Sequence, residues 1–486
     1  MATTFEGVIG LEVHAELLTT SKMFCGCAVV DSTTAAPNMH VCPICLGMPG
    51  VLPVINRAAV EYAIRVGLAL NCEIAPYNVF ARKSYFYPDQ PKGFQISQYE
   101  LPLAKNGYLM IDLPDGSTKR IGIRRAHLEE DTGKLMHIGN SSLVDFNRSG
   151  VPLLEIVSEP DIRTADEAEA YARKLRALLI YSGANTGDMS KGVLRMEPNI
   201  SVRPVGSDEF RTRVEVKNLN SIKVLQKASA FEIARHAKVY EQGGTIKQAT
   251  LGWDEMRQQT VVQREKESAS DYRYFPEPDL PPLHISREWV EEIRQQLPEM
   301  PDAKRDRFLS MGLSRYEASV LVTERSVADW FEQVLAAGAE PKKTANWLLN
   351  EVFARMNKAG LDQDVIGTIK VTPAALAALI KLVDAGTINN NAAKTILDNI
   401  FEQGGEPAEW VKELGLEQTR DVSAVEAAVA KVMSDNPKDV DRFCAGEEKV
   451  VRFLMGLVMR EGKGKFPADL AQQVLTEKLT ALCGSK

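Results

Sequence analysis

The sequence predicts a mixed α and β amino-terminal part followed by a wholly helical carboxy-terminal part. Up to about residue 293, segments that alternate apolar and polar side chains lie between segments of helical period. Past Pro276-Glu277-Pro278-Asp279-Leu280-Pro281-Pro282 the β pattern all but ends, and helices dominate from about 287. The length, 486 residues with 44% hydrophobic and 25% charged, suits about three domains, each with an ordinary core. Their expected spans are 1–293, 294–405 and 406–486.

Taken in order, residues 7–16 alternate over their second half and form a strand. Asn56 caps a helix running to about Leu70, with Val60, Ile64 and Leu68 on one face. Thr164 and Glu167 have the spacing of a capping box. They open a helix carrying Ala168, Tyr171, Leu175, Leu178 and Leu179, which Gly183 stops. Residues 194–203 and 210–217 form two strands, the second with Arg211, Arg213, Glu215 and Lys217 on one face. In the helical part, Thr372-Pro373 starts a helix whose stripe is Leu376, Leu379, Ile380 and Val383, ending at Gly386. A further helix over 391–403 stops at Gly404-Gly405.

Composition excludes several classes. Apolar content is too high for a disordered chain, and no run approaches 18 consecutive apolar residues, so no membrane span is expected. The first residues resemble neither a signal peptide nor a transit peptide, and a cytoplasmic protein is expected. The net charge of −7, from 58 basic and 65 acidic residues, restricts any nucleic-acid contact to local basic patches. Seven cysteines in so long a chain do not make a disulfide framework.

Four of those cysteines cluster as Cys25-x-Cys27 and Cys42-x-x-Cys45. Two close pairs separated by a loop suit a tetrahedral four-cysteine zinc site, structural because no coordination position stays open. Four reduced core cysteines are the plainer alternative. A second set is acidic: Glu12 with His14, Glu129-Glu130-Asp131, and Glu155 with Glu159. Glu12 and His14 share a strand face, and Glu155 interrupts the apolar run Val151–Val157, where a carboxylate needs a partner or a metal. Carboxylates from separate segments are how Mg2+ is commonly held; unrelated salt bridges would look the same at this level. Histidine is a less usual Mg2+ ligand and suits the orientation of a water.

Aromatic and basic residues interleave in Arg82-Lys83-Ser84-Tyr85-Phe86-Tyr87-Pro88 and again around Tyr272 and Tyr274. That mixture fits a nucleotide or a β edge against a core. Glu215-x-Lys217-Asn218 makes a polar cluster at a strand end, where ligand contacts and turn chemistry are both common. In the tail, Lys449, Arg452, Arg460, Lys463 and Lys465 form a basic patch, fit for phosphate contacts or a solvated surface. Phosphate loops of the G-x-x-x-x-G-K-[ST] type are absent, as are G-x-G-x-x-G, G-x-S-x-G and H-E-x-x-H.

Several strings are long and specific: Ile9-Gly-Leu-Glu-Val-His14, Tyr85-Phe-Tyr-Pro-Asp89, His127-Leu-Glu-Glu-Asp131, Asp145-Phe-Asn-Arg148, Glu155-Ile-Val-Ser-Glu-Pro-Asp161, Lys217-Asn-Leu-Asn-Ser221, Asp271-Tyr-Arg-Tyr-Phe-Pro-Glu-Pro278 and Asn346-Trp-Leu-Leu-Asn350. Together they resemble, over essentially the whole chain, the family formed by the B subunits (GatB) of the aspartyl/glutamyl-tRNA amidotransferases. The resemblance implies an α+β cradle domain built on a β-sheet, an all-α helical domain, and a small all-α tail similar to YqeY proteins. It implies ATP-dependent phosphorylation of the side-chain carboxylate of mischarged Glu-tRNA(Gln) or Asp-tRNA(Asn). Ammonia then displaces the phosphate. That ammonia comes from a partner amidase, the A subunit, through an internal channel, and a small C subunit completes a heterotrimer. By the family pattern Glu12, His14, Glu130 and Glu155 match the Mg2+-holding positions, with Glu129 as the adjoining second choice. On charge and position, Lys83, Tyr87, Lys217 and Asn218 are assigned to the ATP or acyl-phosphate surroundings. The cysteine site varies in the family; with all four present here, Zn2+ is expected. The tail's basic residues become tRNA contacts.

Two rivals remain in view. The related archaeal E subunit carries a large domain inserted before the helical part, and the short passage after Pro282 leaves no room for one. A zinc-stabilised RNA-binding module would need no Mg2+ site.

Overall fold

The computed structural model describes residues 4–265, 272–418, 421–447, 449–462 and 465–484. It contains two compact units, Met1–Ala303 and Lys304–Lys486. The first is built on a nine-stranded sheet: β1 (Phe5–Glu16), β2 (Glu73–Ile74), β3 (Ala104–Asp112), β4 (Thr118–Glu130), β5 (Pro152–Ser158), β6 (Leu194–Pro204), β7 (Val214–Lys217), β8 (Ala249–Asp254) and β9 (Gln259–Glu265). Across the sheet the order is β9-β8-β7-β6-β1-β5-β4-β3-β2. Neighbours are antiparallel except β7 and β8, which run parallel.

The sheet has two faces because side chains alternate along each strand. In β1, Leu11, Val13 and Ala15 are fully buried, and Leu154, Ile156, Leu128 and Met196 continue the same apolar face on the neighbouring strands. Three helices cover it: α1 (Arg57–Ala69), α2 (Ala165–Tyr181) and α3 (Ile222–Glu241). Val60 and Ile64 of α1, Tyr171 and Leu175 of α2, and Leu225 of α3 enter one continuous core. Asn56 accepts the N–H groups of Ala58 and Ala59, as the sequence predicts. Thr164 likewise caps α2 through the Glu167 N–H. The Glu167 carboxylate, however, reaches one residue further back and accepts the N–H of Arg163 at 2.7 Å.

Two expectations change. The strand over 210–217 is confined to Val214–Lys217. Arg211 leaves the strand face; its guanidinium lies over the rings of Tyr240 (4.7 Å) and Phe5 (5.5 Å). The proline-rich stretch after 275 is not the end of β structure. Phe275-Pro276 pairs with Ala81-Arg82, and Leu283-His284 pairs with Tyr77-Asn78. Arg82 clamps it with a two-pronged ion pair to Glu277 (2.7 and 2.9 Å); prolines tolerate such short edge pairings.

The second unit is helical. Thr372 caps the helix Pro373–Asp384, and the helix Asn390–Gln403 ends at Gly404, whose φ is +82°. A π turn at Leu348–Val352 overlaps the end of the Asn346–Asn350 string and continues into the helix Phe353–Lys358. Residues between Val425 and Leu479 carry a core of their own. Cys444 and Cys483 form a disulfide there, a pairing the cysteine count alone did not suggest; the other five cysteines are free. Among the described residues no helix is long and apolar enough to cross a membrane.

One buried charge cluster in α3 gives a test of this packing. Glu232 and His236 are wholly buried. Glu232 accepts from Arg235 Nε (2.9 Å) and Nη2 (2.6 Å) and from Thr260 Oγ1 (2.5 Å), with His236 Nε2 at 3.2 Å. Burial opposes ionisation, but the bonds from His236, Arg235 and Thr260 outweigh it and hold the carboxyl at about 2 against an ordinary 4.5. A depressed folded value means the stabilisation is present above the ordinary value and is lost as pH falls toward the folded one. Glu232→Gln is expected to cost about 2 kcal/mol near neutral pH. The deficit against wild type shrinks as the medium is acidified below about pH 4.5, which calorimetric unfolding across that range measures.

Candidate active site

The polar face of the sheet is assembled by register. His14 of β1 lies opposite Glu155 of β5, and Glu155 lies opposite His127 of β4. Glu129 stands two residues along β4 from His127 and so shares its face. On the other flank of β1, Glu12 lies opposite Glu197 of β6, and Asn199 opposite Glu215 of β7. Backbone pairing alone therefore brings together residues far apart in the chain.

Two carboxylate groups result. In the first, His14 Nε2 is 3.7 Å from Glu129 and 3.6 Å from Glu155, and His127 Nε2 is 3.4 Å from Glu155. In the second, Glu12, Glu197 and Glu215 converge. In each group one donor atom from every member of the triad lies within 4.8 Å of the others. Asn199 donates to Glu12 at 3.1 Å. Lys217 donates to Glu197 at 2.7 Å and stands 3.1 Å from Glu215.

The electrostatics record the crowding. Burial, then the charge of Glu155, push Glu129 up; burial, then Glu155 and Glu215, push Glu12 up. Glu155 remains well below its ordinary value despite burial, because His127 and His14 face it. Burial works against His14, but the hydrogen bond and charge of Glu155, with Glu197 and Glu129, raise it to about 9. His14 Nδ1, His127 Nδ1 and Glu129 Oε2 are buried and have no hydrogen-bond partner among the described residues. A hard oxygen-rich set with unspent buried donor atoms is what a divalent cation such as Mg2+ requires.

Glu130 is not among these side chains, contrary to the sequence expectation. Alternation turns it to the opposite face of β4, where it pairs with Lys92 and accepts the N–H of Ile96 at 3.0 Å. It lines a cavity of about 200 Å3 with Phe24, Cys25, Cys45 and Lys92. Glu129, the second choice, is the one of the two that lies beside His14 and Glu155. Lys83 lies close enough for Glu129 and Glu155 to raise it against burial, with Tyr274 and Tyr272 contributing; its ammonium sits 4.9 Å from the Tyr272 ring centre. Tyr87 is exposed and stacks on Tyr85. Asn218 is exposed in a left-handed conformation just beyond β7.

Glu197 and His127 were missed as site residues. Their signal was present in the strand alternation: Arg195, Glu197 and Asn199 are polar between buried Leu194, Met196 and Ile200. A second cavity, about 530 Å3, adjoins Glu12 and Asn199 and is lined by Arg124, Arg125, Arg211, Arg213, Tyr99 and Phe210. Cations and aromatic rings in one cavity suit a phosphorylated, base-bearing ligand.

The sulfur atoms of Cys25, Cys27, Cys42 and Cys45 also lie within 4.8 Å of one another. Cys45 accepts the Cys42 N–H at 3.1 Å. The Cys25 thiol's hydrogen bond is the main cause that draws Cys45 down to about 4, against burial. In the tail, Lys449, Arg452, Arg460 and Lys465 are exposed, and Lys463 lies outside the described residues.

Comparison with known proteins follows the same division. Residues 7–291 match the family model for the GatB/GatE catalytic domain, and residues 329–479 match that for the GatB domain. The B subunit of the aspartyl/glutamyl-tRNA(Asn/Gln) amidotransferase of Carboxydothermus hydrogenoformans is 51% identical over 484 residues, covering 98% of this chain and 99% of that one. The protein of the same name from Geobacter sulfurreducens is 51% identical over 481 residues, with the same coverage. That from Thermodesulfovibrio yellowstonii is 50% identical over 473 residues, covering 97% and 98%.

The two faces of β4 predict opposite outcomes for adjacent residues. With Mn2+ as a paramagnetic substitute for Mg2+, Glu129→Gln is expected to weaken binding at least about tenfold. Glu130→Gln is expected to leave it unchanged. Titration of free Mn2+ by electron paramagnetic resonance makes the comparison.

Proposed function

This chain belongs to the GatB/GatE family of amidotransferase subunits, and from that premise we propose that its polar sheet face activates the side-chain carboxylate of a mischarged Glu-tRNA(Gln) or Asp-tRNA(Asn). ATP phosphorylates that carboxylate, and ammonia then displaces phosphate to leave Gln-tRNA(Gln) or Asn-tRNA(Asn). The observation that carries the reading is that two carboxylate clusters lie on one sheet face with an arginine-lined cavity, which Glu12 of the second cluster lines.

The chemistry explains why such a face is needed. A free carboxylate is a poor electrophile for ammonia, because an oxide is a bad leaving group, whereas phosphate leaves readily. Phosphoryl transfer asks a protein mainly for positioning and charge neutralisation. In this proposal Glu12, His14, Glu129 and Glu155 hold Mg2+, with Glu197 and Glu215 completing a second cation position around Glu12. Bound there, Mg2+ would neutralise phosphate oxygens as charge moves during transfer. Arg124, Arg125, Arg211 and Arg213 orient the triphosphate, and Lys83 and Lys217 add positive charge at the edges of the clusters. Tyr87 and Asn218 remain assigned to the nucleotide surroundings.

Glu130 takes a different role from the metal-holding side chains. Paired with Lys92 behind β4, it lines the smaller cavity, which in this reading lies on the route of ammonia. That ammonia arrives from a partner amidase, the A subunit of a complex that a small C subunit completes. The four cysteines hold a structural Zn2+. The exposed tail cations, with Lys463, contact tRNA phosphates in a cytoplasmic complex.

The test uses the copurified complex with ATP, Mg2+, ammonium chloride and either mischarged tRNA. ADP and amidated tRNA are expected. Glu129→Gln should reduce both by about a hundredfold or more while tRNA binding persists. A complex that binds tRNA yet makes neither product from either tRNA would instead be an RNA-binding assembly.

A further inference from the structure

Lys22 is wholly buried, unusual for a lysine. It opens the short segment that carries Cys25 and Cys27, and its backbone N–H donates to the Cys27 carbonyl at 2.9 Å. Its side chain runs inward past Gly150, where a Cβ would lie 3.5 Å from Lys22 Cδ and 3.3 Å from Cys45 Cβ. The ammonium ends 3.6 Å from Cys45 Sγ and 3.3 Å from the Phe146 carbonyl. Among the described residues no carboxylate lies in ion-pair range of it.

A buried ammonium without a carboxylate needs negative charge from elsewhere. Without a metal the cluster offers it at most the charge of Cys45, which the Cys25 thiol already shares through its hydrogen bond. A divalent metal held by four thiolates carries a net double negative charge, and in a protein interior that charge needs a nearby positive group or hydrogen-bond donors. Each half of this arrangement is therefore better balanced in charge with the other than without it. Cys45, the buried member of the four, is the one Lys22 reaches.

We propose that Lys22 is the counter-ion and hydrogen-bond donor of a tetrathiolate metal centre at Cys25, Cys27, Cys42 and Cys45. Lys22 ties metal retention to the folding of the Cys42–Gly150 region. Gly150 accepts the Met23 N–H at 2.7 Å and donates to the Asp131 carbonyl at 3.0 Å, one residue past β4. Losing the metal leaves Lys22 buried, at the end of the strand that carries Glu129, with less negative charge to face. The proposal stands apart from the amidation reading, since it concerns a different group and a different readout.

The experiment compares the purified full chain, zinc-loaded, in wild-type, Lys22→Met and Lys22→Gln forms, with Cys45→Ser as the control that breaks the site. Zinc release is followed against a chromogenic chelator, and thermal unfolding is measured before and after metal removal. Lys22→Met is expected to lose zinc at roughly ten- to hundredfold lower chelator concentration than wild type. Lys22→Gln, which keeps a donor without the charge, should fall at or above Lys22→Met but below wild type. Metal removal should lower the unfolding temperature of wild type more than that of Lys22→Met, because only in wild type does the bound metal also gain the contact with Lys22. Equal zinc retention in wild type and Lys22→Gln, or equal loss of unfolding temperature on metal removal, would overturn the proposal. Lys22→Gln carries the test if Lys22→Met does not fold. A wild-type chain that binds no zinc under conditions where its thiols are reduced would overturn it as well.

Discussion

Glu12, Glu129, Glu155, Glu197 and Glu215 share one face of a sheet because antiparallel register leaves them no other side. That crowding is the constraint on which the rest of the catalytic unit depends. Two like charges about 4 Å apart repel by about 4 kcal/mol at the effective dielectric typical of such sites. A single hydrogen bond to a charged group offsets only about half of that. Inside the protein the repulsion is partly met by His14, His127 and Lys217. In the proposed reaction it is answered by cations that arrive with the substrate, and a face strained in this way suits the Mg2+ and triphosphate of that reaction.

The opposite face makes that strain tolerable. Leu11, Val13, Leu154 and Ile156 pack under three capped helices, so the strands cannot slip to relieve the charges without exposing the core. A one-residue shift would exchange the two faces. Charged groups at the end of the sheet fix the register further. Arg195 bridges Asp131 at 2.9 Å and Glu16 at 3.6 Å, and Arg148 donates to the Thr132 and Gly133 carbonyls. The cysteine cluster lies beside the same strand ends, joined to them through Met23, Gly150 and Asp131.

Much of this was legible in the sequence, and the parts that were not have a common cause. The phase of β1 follows from its own alternation, the caps at Asn56 and Thr164 from their spacing, and the four cysteines from theirs. Each of these is local. What stayed hidden depends on partners distant in the chain. Whether Glu129 or Glu130 faces His14 depends on how β4 pairs with β5. Glu197 becomes a site residue only because β6 lies against β1. The prolines after 275 mark a turn in composition, yet the segment is held to the sheet unit by pairing with residues near 80. Arg211 had the right spacing for a strand face, but the rings of Phe5 and Tyr240 took it elsewhere.

In the proposed reaction two cation positions, and not one, occupy this face, with Glu130 outside both. Anomalous X-ray diffraction from crystals of the complex grown with Mn2+ and a nonhydrolysable ATP analogue tests it most directly. One manganese peak is expected among His14, Glu129 and Glu155 and a second among Glu12, Glu197 and Glu215, with the analogue's phosphates toward the arginine-lined cavity. A peak on Glu130, or a nucleotide bound away from this face with both clusters lacking metal, would contradict it.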